Sequence, residues 1–461
     1  MKDNGYSRRS FIRLSSYAGL TLAGTAVTGG LPGASAMPAQ DGPDIIQGLD
    51  LQELHESYSE ALFSQFLPNM DRYVIDHEYG GFMTTVDIRS GKQLSTDKRA
   101  WYEGRGIWVY SFLYNNLKKD PGYLEIARKS KDFIMKHRPS GQGFWESSFD
   151  RQGRPLSVPG DKNPYIVAKG DIYGNLFIAE GLVEYAKASG EREYLEIAKK
   201  ITLDCLAAYD NPDYFFDINY GPSAAPKIRG TRVLGHWMVF LRTATQMLEQ
   251  GADPDIEKLA GRCVDAVMNH HLNTGYNLLN EGLEHDLRLP DNEWSQFAYL
   301  GHGIETLWMV MFEAVRLRDK KLLLASAEAF KRHVNVAQDL VYGGFFRSLD
   351  HVDENKWTLN KMLLFQEEVL IGTLFLAEHT GDPWACRCFN ETYRYVREKF
   401  TRPGYKFWIA DGDRRVSGYN AERAEHYHHP RHLMLNLLAV DRMIKRRGKV
   451  SGLLNELQNP Q

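Results

Sequence analysis

Several polar or aromatic side chains lie along the chain at regular intervals, so a repeating fold would bring them together. They are Arg105, Tyr173, His236, His302, the stretch Gln366 to Glu368, and His428. Histidine has an ordinary pKa close to neutral pH, so one imidazole could take a proton from a carbon atom while a second returns one to the opposite face. A guanidinium beside them would stabilise an oxyanion such as an enolate. These residues predict acid–base chemistry at carbon, with Glu305 and Glu368 placed to orient or polarise the imidazoles.

These side chains hold matching positions in an internal repeat. A glycine or aromatic marker recurs at Gly80-Gly81-Phe82, Gly143-Phe144-Trp145, Tyr214-Phe215-Phe216, Gly275-Tyr276, Gly343-Gly344-Phe345 and Gly404-Tyr405. The markers are spaced by roughly 60 to 70 residues, and a sustained period of this kind is the signature of a repeat architecture. Each candidate residue follows its marker by a similar distance, so the candidates occupy equivalent places in the repeat.

Two kinds of helix alternate with the markers. The segment from Tyr123 to Ile134 is apolar on one face only, which predicts an outer helix. The segments Gly174 to Ala186 and Gly303 to Ala314 are apolar on most of their surface, as expected of inner helices with neighbours on both sides. Closing six such hairpins into a ring leaves no uncapped end, and equivalent positions then face one mouth. We therefore predict an all-α fold, an (α/α)6 barrel of six helical hairpins with short β-hairpins or loops between the helices.

The beginning of the chain predicts export. The stretch from Ser7 to Leu14 resembles a twin-arginine motif, and an apolar stretch and the small residues Ala34-Ser35-Ala36 follow it in the order of a cleavable signal. We expect a signal peptide at 1–36, a linker at 37–48, the catalytic barrel at 49–447 and a C-terminal tail at 448–461. The protein is then predicted to reach the periplasm through the twin-arginine pathway.

Composition narrows the expected partners. The chain has 461 residues, a formal net charge of -3 and 12% aromatic residues. This charge gives no electrostatic footprint for nucleic acid, and the N-terminal apolar stretch is too short to span a membrane. Aromatic rings suit the flat apolar faces of sugars. A large core also needs many aromatic residues, so composition permits a small-molecule sugar as partner without requiring one. No nucleic-acid or membrane partner is expected for the mature form, and a monomer or a homodimer is left open.

The histidines near the C-terminus also permit a metal interpretation. His426, His428, His429 and His432 lie close in sequence, and positions 428 and 432 share a helix face. However, Pro430 interrupts the run, and no carboxylate has a spacing typical of a metal motif. We therefore predict no metal ligands and no cofactor.

Four segments, taken in order, resemble motifs of the N-acylglucosamine 2-epimerase family, which includes cellobiose 2-epimerases and aldose–ketose isomerases. They are Trp101 to Trp108 (Trp-x-x-x-Arg-x-x-Trp), Gly301 to Trp308 (Gly-His-x-x-Glu-x-x-Trp), Lys361 to Glu368 (Lys-x-Trp-Trp-x-x-x-Glu) and Tyr427 to Arg431 (Phe-His-x-Pro-Arg). The similarity spans residues 50 to 445 and implies the same (α/α)6 fold. The chain departs from the family at Leu363-Leu364, which replaces the paired tryptophans, and at Glu425-His426.

The resemblance also implies roles for individual residues. His302 and His428 would form the catalytic acid–base pair, and Arg105, Glu305 and Glu368 would complete the catalytic set. The residues expected to bind substrate are Trp101, Trp108, Tyr173, His236, Trp308, Lys361, Gln366 and Arg431. The implied reaction interconverts the C2 epimers of a reducing sugar or amino sugar by deprotonation and reprotonation through an enediolate.

Three other functions stay open from the sequence. An aldose–ketose isomerase would differ only in returning the proton to C1. A glycoside hydrolase or lyase would need two carboxylates across the pocket, for which the candidates are Glu103, Asp171, Glu305 and Glu368. A non-catalytic sugar binder is the third.

Overall fold

The computed structural model describes residues 45–46, 48–139, 143–156, 172–214, 220–221 and 230–457. All of them belong to one compact unit that begins at Pro43. The predicted signal peptide, 1–36, lies outside the described residues, as does Asp171, one of the carboxylates considered for hydrolysis. The export prediction therefore stays a prediction.

One set of helices is buried on nearly every side. These inner helices are α2 (Ala100–Asn116), α4 (Ile172–Ser189), α6 (Leu234–Leu248), α8 (Leu300–Arg316), α10 (Leu363–Thr380) and α12 (His428–Lys445). Every residue of α6 is buried. A helix that is apolar on most of its surface needs neighbours all round, so the sequence itself places these helices inside.

A second set alternates with the first and buries one face only. It consists of α1, α3 (Pro121–Lys136), α5 (Glu193–Asp210), α7 (Pro254–Asp265), α9 (Lys320–Ala337) and α11 (Pro383–Lys399). Helix α1 comprises Leu51–Ser59, the π-helical Glu60–Phe66 and Leu67–Tyr73, and α7 continues into the π-helical Ala266–His271. Asp120, Asp253 and Asp382 each cap an outer helix whose first residue is proline, a favourable pair of start signals. A short helix, α13 (Leu453–Glu456), follows the barrel.

The inner helices close into a ring. Each packs against the inner helix before and after it, and α12 packs against α2, while α1 packs on the outside of α12. This is the (α/α)6 barrel predicted from the spacing of the markers, and the fold prediction is confirmed. No helix in the described part of the chain is long and apolar enough to cross a membrane.

Short antiparallel strands join the loops between helices. They pair as β1 (Ile45–Ile46) with β2 (Leu49–Asp50), β3 (Lys98–Arg99) with β4 (Ser148–Phe149), β5 (Arg232–Val233) with β8 (Gly282–Leu283), β6 (Leu272–Asn273) with β7 (Leu278–Leu279), β9 (Ser348–His351) with β10 (Lys356–Thr358), and β11 (Lys361–Met362) with β12 (Asp411–Gly412), which also pairs with β13 (Tyr419–Asn420). A 3-10 helix spans Glu293–Gln296. Strands β3, β5 and β11 run directly into inner helices, so the pairings fix where those helices begin.

Two of the loops that carry these strands are held by the same kind of buried ion cluster. Asp76 accepts a 3.0 Å hydrogen bond from Lys98 Nζ and two further bonds from the guanidinium of Arg151. The second loop repeats these contacts with Asp339, Lys361 and Arg414. The repeat in sequence therefore extends to buried polar contacts.

This second cluster corrects the predicted roles of Lys361 and Gln366. Lys361 Nζ lies 2.9 Å from Asp339 and also contacts the carbonyl oxygen of Gly343. The Gln366 amide bonds both the N–H and the carbonyl of Phe345, at 2.8 and 3.0 Å. Both side chains are fully buried, and buried loop backbone needs such partners. Lys361 and Gln366 thus hold the loop and not a substrate.

Candidate active site

The first two turns of the inner helices meet at one mouth of the barrel. This mouth carries Arg105 on α2, Tyr173 on α4, His236 on α6, His302 and Glu305 on α8, Glu368 on α10, and His428 and Arg431 on α12. The mouth therefore gathers residues spread over most of the chain. Their contacts show which of them share one site.

His302 is held by a buried carboxylate from a neighbouring loop. Its Nδ1 lies 2.8 Å from Glu281 Oε1, and Glu281 also accepts a 2.8 Å hydrogen bond from the hydroxyl of Tyr220. The ring of Tyr299 packs edge-on against the imidazole, with 4.6 Å between ring centres. Because Nδ1 is engaged, Nε2 is the nitrogen that can exchange a proton with a substrate.

His428 has a carboxylate partner of its own. Glu425 Oε1 lies 3.1 Å from His428 Nδ1 and accepts the main-chain N–H groups of Tyr427 and His428, at 3.1 and 3.2 Å. Arg423 donates to the other carboxylate oxygen at 3.2 Å. Glu425 therefore satisfies the first N–H groups of α12 and fixes the imidazole in the same arrangement.

Arg431 forms a buried ion cluster with the carboxylates of Glu305 and Glu368. Its Nη2 donates to Glu305 Oε1 at 2.6 Å and to Glu368 Oε1 at 2.5 Å. Trp308 Nε1 donates to the second oxygen of Glu368 at 2.7 Å. Glu305 and Glu368 were expected to orient or polarise the imidazoles. Their hydrogen bonds go to Arg431 and Trp308, and Glu281 and Glu425 orient the imidazoles. The charge of Glu305 nevertheless raises the pKa of both His302 and His428. Trp308 and Arg431, both expected to bind substrate, support these two carboxylates instead.

The same cluster includes an imidazole nitrogen of His428. It lies with one oxygen each of Glu305 and Glu368 in a group whose atoms are all within 4.8 Å of one another. Such a trio resembles a metal-ligand set. The guanidinium of Arg431 already supplies positive charge to both carboxylates, which competes directly with a cation at that place.

Arg105, on α2, places its guanidinium against two aromatic rings of the mouth. Its guanidinium carbon lies 4.0 Å from the ring centre of Phe177 and 4.7 Å from that of Tyr427. Helices α2 and α4 approach closely here because residue 104 is glycine: a Cβ atom at Gly104 would lie 2.3 Å from the main chain of Phe177. The positive charge of Arg105 lowers the pKa of both His302 and His428, so it acts on both imidazoles.

The surroundings move the two histidine pKa values in opposite directions. Burial lowers the pKa of His302, but the negative charge and hydrogen bond of Glu281 outweigh it, so the pKa is raised. Burial also lowers the pKa of His428, and there it outweighs the charge of Glu425, so the pKa stays lowered. Relative to an unperturbed imidazole, the site therefore favours the protonated form of His302 and the neutral form of His428, which suits one as an acid and the other as a base.

The other predicted residues differ in their surroundings. Trp108 is fully buried, with Nε1 donating to Gln246 at 3.1 Å. His236 is fully buried, with Nε2 2.9 Å from the hydroxyl of Tyr214. Trp108 and His236 were expected to contact substrate, but their hydrogen bonds go to other protein side chains. The reason is that α2 and α6 are packed against neighbours on all sides. Trp101 and Tyr173 lie side by side, with 6.1 Å between ring centres, at the starts of α2 and α4.

Sequence reasoning missed Glu281 and the role of Glu425. Glu281 lies in a loop before β8, outside every motif and outside the helix starts that the repeat singled out. Glu425 carried a signal, because it is one of the departures from the family motif directly before His428. A charged residue one turn before a candidate base is placed to be the partner of that base.

A model of the N-acylglucosamine 2-epimerase (GlcNAc 2-epimerase) family matches residues 80–430, so the chain belongs to this family. N-acylglucosamine 2-epimerase from Bos taurus is 22% identical over 347 residues, covering 72% of this chain and 78% of that protein. Cellobiose 2-epimerase from Bacteroides fragilis is 22% identical over 389 residues, covering 78% and 92%. The structure of cellobiose 2-epimerase from Spirochaeta thermophila superposes with a TM-score of 0.70 at 17% identity, covering 85% of this chain and 98% of that one.

Family membership defines the class of enzyme. The protein is a carbohydrate 2-epimerase and thus an isomerase, as the four motifs predicted. The structural likeness, at its low identity, speaks for the fold alone.

Proposed function

We propose that the protein interconverts the C2 epimers of a reducing sugar or amino sugar with His302 and His428 as the two acid–base groups. The observation that carries this proposal is the pairing of each histidine with its own buried carboxylate, Glu281 or Glu425. Two imidazoles with separate partners and opposite pKa shifts suit proton removal on one face of a carbon and proton return on the other.

In one direction, the open-chain sugar presents its C2 proton to Nε2 of the neutral His428. The electron pair of the C2–H bond forms a C1–C2 double bond, and the C1 oxygen becomes an oxyanion beside Arg105. The protonated Nε2 of His302 then gives its proton to the opposite face of C2, and the electrons return to the carbonyl. The reverse direction uses the same groups with their roles exchanged.

The test is hydrogen exchange at C2 in deuterium oxide, followed by NMR. The names of the relatives make N-acylglucosamine and cellobiose the first substrates to assay, within a panel of reducing mono- and disaccharides. In His302→Gln, His428 still exchanges the C2 hydrogen of one epimer without inverting it. In His428→Gln only the other epimer exchanges. His77→Gln, an exposed histidine, is the matched control and keeps full activity.

The reciprocal pattern is specific to two bases on opposite faces. Exchange of both epimers in a single variant contradicts the assignment. A ketose labelled at C1 identifies an aldose–ketose isomerase, release of reducing ends identifies a hydrolase, and sugar binding without any label exchange identifies a binding protein. The hydrolase alternative is weakened because both oxygens of Glu368 already accept hydrogen bonds from Arg431 and Trp308.

We also propose that this chemistry takes place outside the cytoplasm. The proposal rests on the Arg8-Arg9 pair and the Ala34-Ser35-Ala36 site that follows it. Cell fractionation tests it: the wild type is found in the periplasm without residues 1–36, and an Arg8→Lys, Arg9→Lys variant stays uncleaved in the cytoplasm. Cleaved, exported protein from the variant would contradict the pathway. The sequence leaves a monomer and a homodimer open, and light scattering distinguishes them.

A further inference from the structure

A second group of acid–base side chains lies beside the catalytic pair and takes no part in the mechanism. Glu367 belongs to α10, and His429 and His432 are on one face of α12, three residues apart. His429 Nδ1 is 2.6 Å from Glu367 Oε1, and His432 Nδ1 is 3.3 Å from the same oxygen. The three side chains are 0%, 4% and 2% exposed, so they form a buried cluster between two inner helices.

We propose that Glu367, His429 and His432 bind a divalent transition-metal ion of the zinc type. Two imidazoles and one carboxylate are a ligand set that zinc uses, with a fourth position left for water. One ligand atom from each residue lies within 4.8 Å of the others. Ligands at about 2.0–2.1 Å in a tetrahedron stand about 3.3 Å apart, so the His432 nitrogen is already at the required separation from Glu367, and the His429 nitrogen has to move by less than an ångström.

Unpartnered buried atoms point to the same ligand. Among the described residues, Glu367 Oε2 is buried without a hydrogen-bond partner, and the buried His432 Nδ1 has only its 3.3 Å contact with Glu367 Oε1. Within the same part of the chain, the ion pairs of Glu367 are to His429 and His432, and no lysine or arginine pairs with it. A buried carboxylate without a fixed cation is costly, and a metal ion would remove that cost.

The neighbouring cluster of Glu305, Glu368 and His428 is the instructive contrast. It satisfies the same distance criterion, but Arg431 donates to both of its carboxylates. The carboxylate of Glu367 is contacted by two imidazoles, whereas the carboxylates of Glu305 and Glu368 are contacted by the guanidinium of Arg431. Imidazole nitrogens are metal ligands and a guanidinium is not, so the metal is assigned to Glu367.

The cluster also has a path to solvent. A cavity of about 450 Å³ is lined by His429 together with Phe66 and Trp408. The ring of Trp408 lies 4.4 Å from that of His429. An ion can therefore reach His429 from the outside of the barrel, between α1 and the loop after α11. Once bound, it would tie α10 to α12 next to His428 and so steady the start of the helix that carries the base.

The experiment uses the untagged full chain, stripped of metal with a chelator and titrated with Zn²⁺ by calorimetry. The wild type binds one ion per chain. Glu367→Gln and His432→Gln each bind at least tenfold more weakly, because one of three ligands is lost. His77→Gln is the matched control. His77 also lies 3.3 Å from a carboxylate, that of Asp71, but belongs to no group of three ligands among the described residues, so its loss leaves zinc binding unchanged.

The proposal is overturned if the wild type binds no zinc, or if both cluster variants bind it as tightly as the wild type. The three residues would then be a hydrogen-bonded network only. Because a buried substitution can unfold the protein, the visible spectrum of the Co²⁺-loaded wild type is a second measurement. Tetrahedral absorption supports the site, and an octahedral spectrum contradicts it. Neither measurement depends on the epimerase reaction, so the metal site and the proposed function can fail separately.

Discussion

Glu281→Gln is the substitution that tests the arrangement of the site most directly. Glu281 Oε1 lies 2.8 Å from His302 Nδ1, and its side chain is fully buried. The negative charge of Glu281 raises the pKa of His302 against the lowering effect of burial. Glutamine keeps the size of the side chain and removes the charge. The imidazole should therefore lose its proton at a lower pH than in the wild type.

The size of the effect follows from the bond that is weakened. A hydrogen bond to a charged group contributes about 1.5–3 kcal/mol, and each 1.36 kcal/mol of transition-state stabilisation is a factor of ten in rate. We expect kcat/KM for epimerisation at neutral pH to fall about 10- to 160-fold. The fall combines a smaller protonated fraction of His302 with a less firmly held ring.

The assay is the pH dependence of kcat/KM for C2 epimerisation, in both directions. For the wild type we expect a bell, with the acid limb set by protonation of His428 and the alkaline limb by deprotonation of His302. Both directions should share these limbs, because they use the same singly protonated enzyme. In Glu281→Gln the alkaline limb moves to lower pH and the acid limb stays in place.

Glu284→Gln is the matched control, because Glu284 lies directly on the other side of strand β8 from Glu281 and is partly exposed beside Arg288. It should leave both the rate and the limbs unchanged. The reasoning fails if Glu281→Gln folds normally and its alkaline limb does not move. It also fails if Glu284→Gln produces the same shift, since the effect would then belong to the loop and not to the contact with His302.

Three further substitutions have expected outcomes. Glu425→Gln removes a charge that raises the pKa of His428, so the acid limb should move to lower pH while kcat falls; an unmoved acid limb would argue against His428 as the base. Asp339→Asn breaks a fully buried ion pair and should lower the free energy of unfolding in urea by about 3–5 kcal/mol. Asp87→Asn, in a surface pair, should lower it by at most about 1 kcal/mol. Equal losses of stability in the two variants would refute this contrast. Gly104→Ala forces a methyl group against main chain and should lower thermal stability by about 1–3 kcal/mol, which differential scanning calorimetry measures; an unchanged melting temperature would show that α2 and α4 can move apart there.

The repeat made much of the site predictable. Arg105, His302 and His428 each follow a marker of the repeat by a similar distance, and the closed ring brings equivalent positions along the chain to one mouth. Periodicity is a property of the sequence, so it survives without coordinates. Lys361 was expected from the family motif and not from the repeat, and its charge pairs with Asp339 inside the loop.

The hydrogen-bond partners were decided by the tertiary structure. Glu281 comes from outside any recognisable spacing to His302 and reaches it only because its loop packs there. Glu367 lies in the stretch that the repeat singles out, but its contact with His429 depends on how α10 packs against α12. A carboxylate shifts a pKa or completes a metal site according to distances of a few ångströms, and sequence separation carries no information about such distances. The sequence by itself determined the barrel and the positions of the two histidines at its mouth. The packing decided which carboxylate forms a hydrogen bond with each histidine.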